Sequence, residues 1–306
     1  MHKPVLVTGA YGFIGRHVAR HLAAQGRSVI GLGHGTWSRE EWRNWGLADW
    51  HAADVTFDNL VTYAGRPDAV IHCAGSGSVA FSTTHPHQDY QRTVATTASV
   101  LEFVRLYAPG AAVVYPSSAA VYGHVARVPI AESDPARPVS PYGVHKQMGE
   151  MLCATYASHF SIRVALIRLF SVYGNGLRKQ LLWDACSKLN RGETTFFGTG
   201  NEKRDWLHVT DAAELLALAC EHASSQGAIV NGGTGTEVSV REVVHEILAA
   251  LGRSDAPRFT GANREGDPPA YLADIDRVSR WNWKPRKPWR TGVREYVEWF
   301  NADQIR

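Results

Sequence analysis

The sequence predicts an α/β fold, a doubly wound parallel sheet followed by a smaller C-terminal α/β lobe. Three observations predict it. Short β-branched runs alternate with helical patterns through the first half, a glycine-rich turn joins the first run to the first helix, and this regularity fades after Gly174-Asn175-Gly176. The runs lie at residues 4–8, 28–32, 69–73, 111–115 and 162–168. Between them Ile14, Val18 and Leu22 recur every four residues, and Val94, Ala98 and Leu101 at four and then three, the spacing of one apolar helix face. A third helix is expected after Pro141, carrying Met148, Met151, Leu152 and Tyr156. The second half then offers a helix, a short strand and turn at Phe196 to Gly200, a helix from Asp211 to His222, a capping-box start at Ser239–Glu242 and a terminal helix from Thr291 to Asn301.

Composition narrows the function classes. The chain has 306 residues, 44% of them hydrophobic and 20% charged, enough to bury a sizeable core. Lys and Arg number 32 against 29 Asp and Glu, so no broad electrostatic attraction to nucleic acid or membrane is expected. No apolar stretch approaches the roughly 18 residues of a membrane span. Met1-His2-Lys3-Pro4 runs straight into the first strand without the apolar core of a secretory signal, so a cytoplasmic location is expected. Cys73, Cys153, Cys186 and Cys220 form no CxxC pair and no zinc-spaced cluster; they read as reduced, buried thiols, and no metal is expected. Trp37, Trp42, Trp45 and Trp50 stand beside Arg39, Glu40, Glu41 and Arg43; the acidic pair favours a Trp-packed surface helix over base stacking.

The chemistry-bearing motifs follow the elements. Gly9-Ala10-Tyr11-Gly12-Phe13-Ile14-Gly15 has a strand before it and an amphipathic helix after it. There glycines allow a tight turn, and backbone N–H groups at the positive end of a helix suit a pyrophosphate. Tyr142 and Lys146 lie one helical turn apart on one face. An ammonium within reach of a phenol favours the phenolate and lowers a pKa that is otherwise near 10. Ser118 ends a predicted strand, where its hydroxyl would meet the crevice at the sheet's C-terminal edge.

With these residues in order, the sequence resembles the extended short-chain dehydrogenase/reductases, in their nucleotide-sugar epimerase, dehydratase and reductase group. The resemblance runs through the glycine loop, Asp54-Val55, His72-Cys73-Ala74-Gly75, Pro116 to Gly123, Pro141 to Lys146, Arg168 to Gly174, Arg204 to Asp211 and Arg264 to Asp267. It implies a Rossmann domain over 1–175 that binds NAD(P), and a mainly substrate-binding lobe over 176–306, with part of 205–235 returning to the first domain. It implies that Ser118, Tyr142 and Lys146 are catalytic: Tyr142 exchanging a proton with a sugar oxygen, Lys146 holding the cofactor ribose, Ser118 orienting the oxygen. The implied cofactor contacts are Gly9, Tyr11, Gly12, Phe13, Ile14, Gly15, Asp54, Val55, Cys73, Ala74 and Gly75, besides Tyr142 and Lys146. Ser118, Ser171, Arg204, Trp206 and Arg264 are implied contacts of a nucleotide-diphosphate sugar. A homodimer is implied through the helices around 89–106 and 142–159.

Departures from the family pattern narrow the reaction. The second strand lacks the terminal acid that holds the ribose 2′-hydroxyl of NAD, and reads Leu32-Gly33-His34-Gly35. With His34 and Arg39 near enough to meet a 2′-phosphate, NADP(H) is favoured over NAD(H). Ala119 and Ala120 follow Ser118 where the family's 4,6-dehydratases carry an Asp-Glu pair, which disfavours that elimination. The expected activity is therefore NADPH-dependent reduction of a 4-keto(-6-deoxy) nucleotide sugar, with Tyr142 as proton donor. The alternative is NAD-dependent C4 epimerisation, and a remoter one is a dinucleotide-sensing protein without activity.

Overall fold

The structure is a computed structural model, and it describes residues 3–262 and 270–304. Twelve strands are present among the described residues: β1 (Val5–Thr8), β2 (Val29–Gly33), β3 (Asp49–Ala52), β4 (Ala69–His72), β5 (Ala112–Ser118), β6 (Arg163–Leu169), β7 (Ser171–Tyr173), β8 (Thr195–Phe196), β9 (Lys203–His208), β10 (Ala228–Gly232), β11 (Glu237–Ser239) and β12 (Arg258–Phe259). The chain divides into two compact units. The first comprises Met1–Gly123, Glu132–Leu169 and Ala212–Val230; the second comprises His124–Ala131, Phe170–Asp211 and Asn231–Arg306.

Seven strands form one sheet in the order β10-β6-β5-β4-β1-β2-β3, and the pairs β5–β6, β4–β5, β1–β4, β1–β2 and β2–β3 are parallel. Parallel strands covered on both faces need continuous apolar runs, and Val5, Leu6 and Val7 are fully buried. Leu6, Val70, Val113 and Val164 belong to a core that also takes in Leu101 and Phe103 from the helix Thr96–Tyr107. The five predicted runs became β1, β2, β4, β5 and β6. β3 gave no such signal because it is an edge strand, Asp49-Trp50-His51-Ala52, with no fully buried residue.

The helix expected around 89–106 is interrupted. Pro86–Tyr90 is followed by a π turn over Gln91–Ala95 and then by Thr96–Tyr107. Threonine hydroxyls bond back into this turn, Thr96 Oγ1 to the Arg92 carbonyl at 2.7 Å and Thr97 Oγ1 to that of Thr93 at 2.5 Å. The long helix after Pro141 runs from Pro141 to Phe160, N-capped by Ser140.

In the second unit β11, β9 and β7 make a small sheet, and β12 pairs with β8. Asp205 on β9 is fully buried. Its carboxylate accepts from the backbone N–H groups of Thr234, Gly235 and Ala273 and from the Thr234 hydroxyl, at 2.6–3.2 Å, and this satisfies it. The Ser239–Glu242 capping box forms in both directions and starts the helix Val240–Ala250. No helix among the described residues is long and apolar enough to cross a membrane.

Candidate active site

The strand order reverses at β1, where β2 lies on one side and β4 on the other, and this is where an open α/β sheet leaves a ligand crevice beyond its C-terminal edge. The glycine loop sits at that point. Gly9 has φ +67°, and a Cβ there would stand 2.6 Å from the Ala74 nitrogen, so only glycine lets the loop close against the end of β4. A Cβ on Gly15 would strike the Gly9 carbonyl oxygen. The helix that follows, Phe13–Ala24, begins at Gly12 with no side-chain cap and no acidic residue in its first turn. Its terminal N–H groups therefore meet no competing carboxylate, and the residues present fit a dinucleotide pyrophosphate.

β4 delivers Cys73, Ala74 and Gly75 to the same place. The Ala74 N–H donates to Thr8 Oγ1 at 3.3 Å, and that hydroxyl is hydrogen-bonded to His72 Nδ1 at 2.7 Å, which ties β4 to β1. Burial, with the Lys146 charge nearby, pushes the His72 imidazole down to about 3, so the ring is a neutral strut. Cys73 is pushed up to about 12 by burial, and its thiol stays protonated.

The proposed catalytic residues converge on the end of β5. Ser118 is the last residue of that strand, and its hydroxyl caps the short turn Ala119–Val121 by accepting from the Ala120 N–H at 3.2 Å. Tyr142 lies in the first turn of Pro141–Phe160, and the Ser118 hydroxyl is near enough to its phenol to lower the phenol pKa. Burial raises the phenol pKa, the Ser118 hydroxyl lowers it and the Asp89 carboxylate raises it, with a net upward shift. The lowering expected from Lys146 is not what this structure shows. The amine instead donates to the Pro116 carbonyl at 2.9 Å and lies over the Tyr115 ring, 5.0 Å from its centroid. Burial pushes Lys146 down to about 8. A Cβ on Gly75 would be 3.8 Å from the Lys146 nitrogen, so the amine reaches the loop after β4.

Two features of this site carried no sequence signal that was read. Glu150, one turn beyond Lys146, is buried; it accepts from Ser117 at 2.6 Å and is gripped by Arg168 through two bonds of 3.0 and 2.8 Å. His145 is bonded to the buried Asp89. The spacing of 146 to 150 and the histidine inside the Tyr142–Lys146 turn were the available clues.

The remaining predicted residues are placed as follows. Tyr11 and Ile14 are half-buried in the glycine loop, the Tyr11 ring lying over Gly35 and edge-on to Trp37 at 4.9 Å. Trp45 packs on the first helix beneath Arg20 and beside His17, the packing role expected for the tryptophan cluster. Val55 is buried just after Asp54. In the second unit Ser171 opens β7 opposite Trp206 of β9, and Arg204 Nη1 donates to the Lys203 carbonyl at 2.8 Å. Trp206 is buried edge-on against Tyr173 and lines a cavity of about 440 Å³ with Thr234, Lys287 and Trp289. Arg264 lies outside the described residues.

Comparisons with known proteins show the family of the chain. The model of the NAD dependent epimerase/dehydratase family matches residues 5–233. The chain is 32% identical to the UDP-glucose 4-epimerase of Azospirillum brasilense, over 96% of this chain and 91% of that protein. It is 31% identical to that of Mycolicibacterium smegmatis, over 96% and 97%. Among solved structures it is similar to MoeE5 in complex with UDP-glucose and NAD, at TM-score 0.86 and 30% identity, covering 98% of this chain and 99% of that one. The UDP-glucose 4-epimerase of Thermus thermophilus in complex with NAD gives TM-score 0.85 at 27% identity, covering 98% and 99%.

These structures correct the preference for NADP(H) over NAD(H), since the relatives hold NAD. The fold supplies the physical reason. His34 does not stand alone: its Nε2 lies 3.0 Å from the Asp54 carboxylate, which brings negative charge to the end of β2 after all. Arg39 opens a helix whose first turn also carries Glu40 and Glu41. A 2′-phosphate would meet carboxylates at both places.

Proposed function

The chain belongs to the NAD dependent epimerase/dehydratase family and is an enzyme of it, and from that premise we propose that it interconverts the C4 epimers of a nucleotide-diphosphate sugar with NAD as cofactor. The observation that carries the proposal is the convergence of Ser118, at the C-terminal end of β5, with Tyr142 and Lys146 of Pro141–Phe160, the lysine amine held at the Pro116 carbonyl of the same strand. The names of the relatives favour epimerisation over the 4-keto reduction first expected. That expectation leaned on NADPH, and its ground is gone. Water elimination would need an acid and a base besides Tyr142, and Ala119 and Ala120 supply neither.

Bound at the glycine loop, NAD would supply reversible hydride acceptance. The chain's residues handle the proton and the pose. Tyr142 takes the proton of the sugar 4-hydroxyl and gives it back when the other face is reduced, and Ser118 stabilises the phenolate that this requires. Lys146, held at the Pro116 carbonyl beside Gly75, serves the cofactor ribose. Cys73 and His72, both uncharged, line this end without competing for the proton. Arg204 is proposed to grip the diphosphate, as a guanidinium's paired donors allow, with Ser171, Trp206 and Arg264 as further substrate contacts. A homodimer is proposed through Thr96–Tyr107 and Pro141–Phe160, which expose Leu106, Tyr107, Met148, Met151 and Phe160.

Incubation of the purified enzyme with UDP-galactose, without added cofactor, tests the proposal. NMR of the sugar should show UDP-glucose accumulating to a constant ratio. Because MoeE5 is also solved with UDP-glucuronic acid and NAD, UDP-glucuronate is the second substrate to try. Failure to epimerise either sugar, or turnover only on addition of a reduced nicotinamide, would overturn it.

A further inference from the structure

The catalytic helix carries a titratable residue that the mechanism above does not use. His145 Nδ1 is hydrogen-bonded to Asp89 Oδ2 at 2.5 Å. Asp89, on the helix Pro86–Tyr90, is fully buried, and its other oxygen, Oδ1, has no hydrogen-bond partner among the described residues. A buried carboxylate oxygen without a donor is costly, so it calls for an explanation. Helical spacing sets His145 one turn from Tyr142 and next to Lys146. The same neighbourhood holds the tyrosine's backbone: the Tyr142 N–H donates to Ser82 Oγ at 3.0 Å, on the helix Val79–Thr84 that precedes the Asp89 helix.

The geometry points to Asp89 and His145 as a positioning pair that sets how readily Tyr142 gives up its proton and Lys146 keeps its own. The uncompensated carboxylate oxygen disfavours the phenolate and favours the ammonium, and the His145 ring bonded to the other oxygen limits how strongly it does so. This role rests on the epimerase proposal, in which Tyr142 must cycle between phenol and phenolate. The directions agree: Asp89 raises the pKa of both Tyr142 and Lys146. Around them, β4 contributes the neutral His72 and Cys73, β5 the protonated Tyr115, the π turn Arg92, and the catalytic helix itself Cys153 and Glu150, the latter already neutralised by Arg168. The helix Val79–Thr84 brings no titratable side chain. The helix of Asp89 adds the Tyr90 ring, edge-on to His145 at 5.8 Å, and His87. Asp89 is thus the carboxylate of this shell that has an oxygen to spare.

The test titrates Tyr142 itself. In the enzyme with its retained cofactor and ring-labelled tyrosine, the Tyr142 carbon signal is assigned by its loss in Tyr142→Phe and followed against pH. Asp89→Asn keeps shape and an acceptor but removes the charge, and should lower the midpoint by about one unit, moving the pH profile of turnover acid-ward with it. His145→Gln leaves the carboxylate uncompensated and should raise the midpoint. Asp89→Glu, which restores the charge, should return it towards wild type. If Asp89→Asn does not fold, the opposite shift in His145→Gln still decides. A midpoint that ignores both substitutions, or that His145→Gln lowers, would overturn the pair's role. A protein that titrates as described yet leaves UDP-sugars untouched would refute the proposed function and spare the pair; an epimerase with an indifferent Tyr142 would do the reverse.

Discussion

Two of the histidine–aspartate pairs in the first unit have the same chemistry and opposite surroundings. His34 and Asp54 meet at 3.0 Å with side chains 80% and 67% exposed; His145 and Asp89 meet at 2.5 Å with 12% and 0% exposed. Water screens the first pair, and such a contact is worth at most about 1 kcal/mol. In the second, charge is felt by every neighbour, because little solvent stands between them. The exposed pair lies at the end of β2, where the cofactor's adenosine ribose is expected, and the buried pair involves the helix that carries the proposed catalytic Tyr142 and Lys146. Residue type alone says little here; burial decides whether a charge tunes chemistry or merely colours a surface.

Substitutions on the buried side should cost most. Tyr142→Phe, which removes the exchangeable proton, should lower turnover by about 10²–10⁴-fold while cofactor stays bound, read by sugar interconversion and by mass of the released nucleotide. Full activity in that variant would break the mechanism. Arg168→Met, which strands the buried Glu150 without its partner, should destabilise the fold by about 3–5 kcal/mol, read by denaturant unfolding. A loss below about 1 kcal/mol would mean that burial does not set the scale.

Acid should act through buried histidines next. His72 is held at about 3 and His17 at about 4, both below their unfolded value near 6.5. The unfolded chain therefore binds more protons, and the stability these rings contribute above about 6.5 is lost progressively as pH falls towards 3. His72→Gln should make the fall in melting temperature between pH 6.5 and 4 shallower; an unchanged slope would count against the neutral strut. The smallest effect should come from the exposed pair. His34→Ala should change stability by less than about 1 kcal/mol and leave the preference for NADH over NADPH in a binding titration. A switch to NADPH would show that the histidine, not Asp54, governs that end of the cofactor.

Much of the fold was legible because burial leaves an apolar signature. β1, β2, β4, β5 and β6 announced themselves through Val, Ile, Leu and Ala runs, and the helix after Pro141 through its spacing. β3 did not, since an edge strand needs no apolar run, and the break at Gln91–Ala95 depends on threonine hydroxyls that pattern does not register. In the site, the glycine loop, Ser118, Tyr142 and Lys146 could be read because they are local motifs tied to element ends. The buried contacts around them join positions far apart in the chain, 56 residues for Asp89 and His145 and 33 for Ser117 and Glu150. The cofactor preference misled for the same reason: Leu32-Gly33-His34-Gly35 shows no carboxylate, and only folding brings Asp54 beside His34.

The most direct measurement follows the hydrogen at C4. UDP-glucose carrying deuterium at C4 is given to the enzyme in ordinary water, with no cofactor added, and the galactose epimer is analysed by mass and NMR. A C4 epimerase with retained NAD must remove and return the same atom, so the epimer should keep its deuterium at C4 with no net change in nicotinamide. Loss of the deuterium to solvent, or product formed only in step with consumption of an added reduced cofactor, would contradict the account.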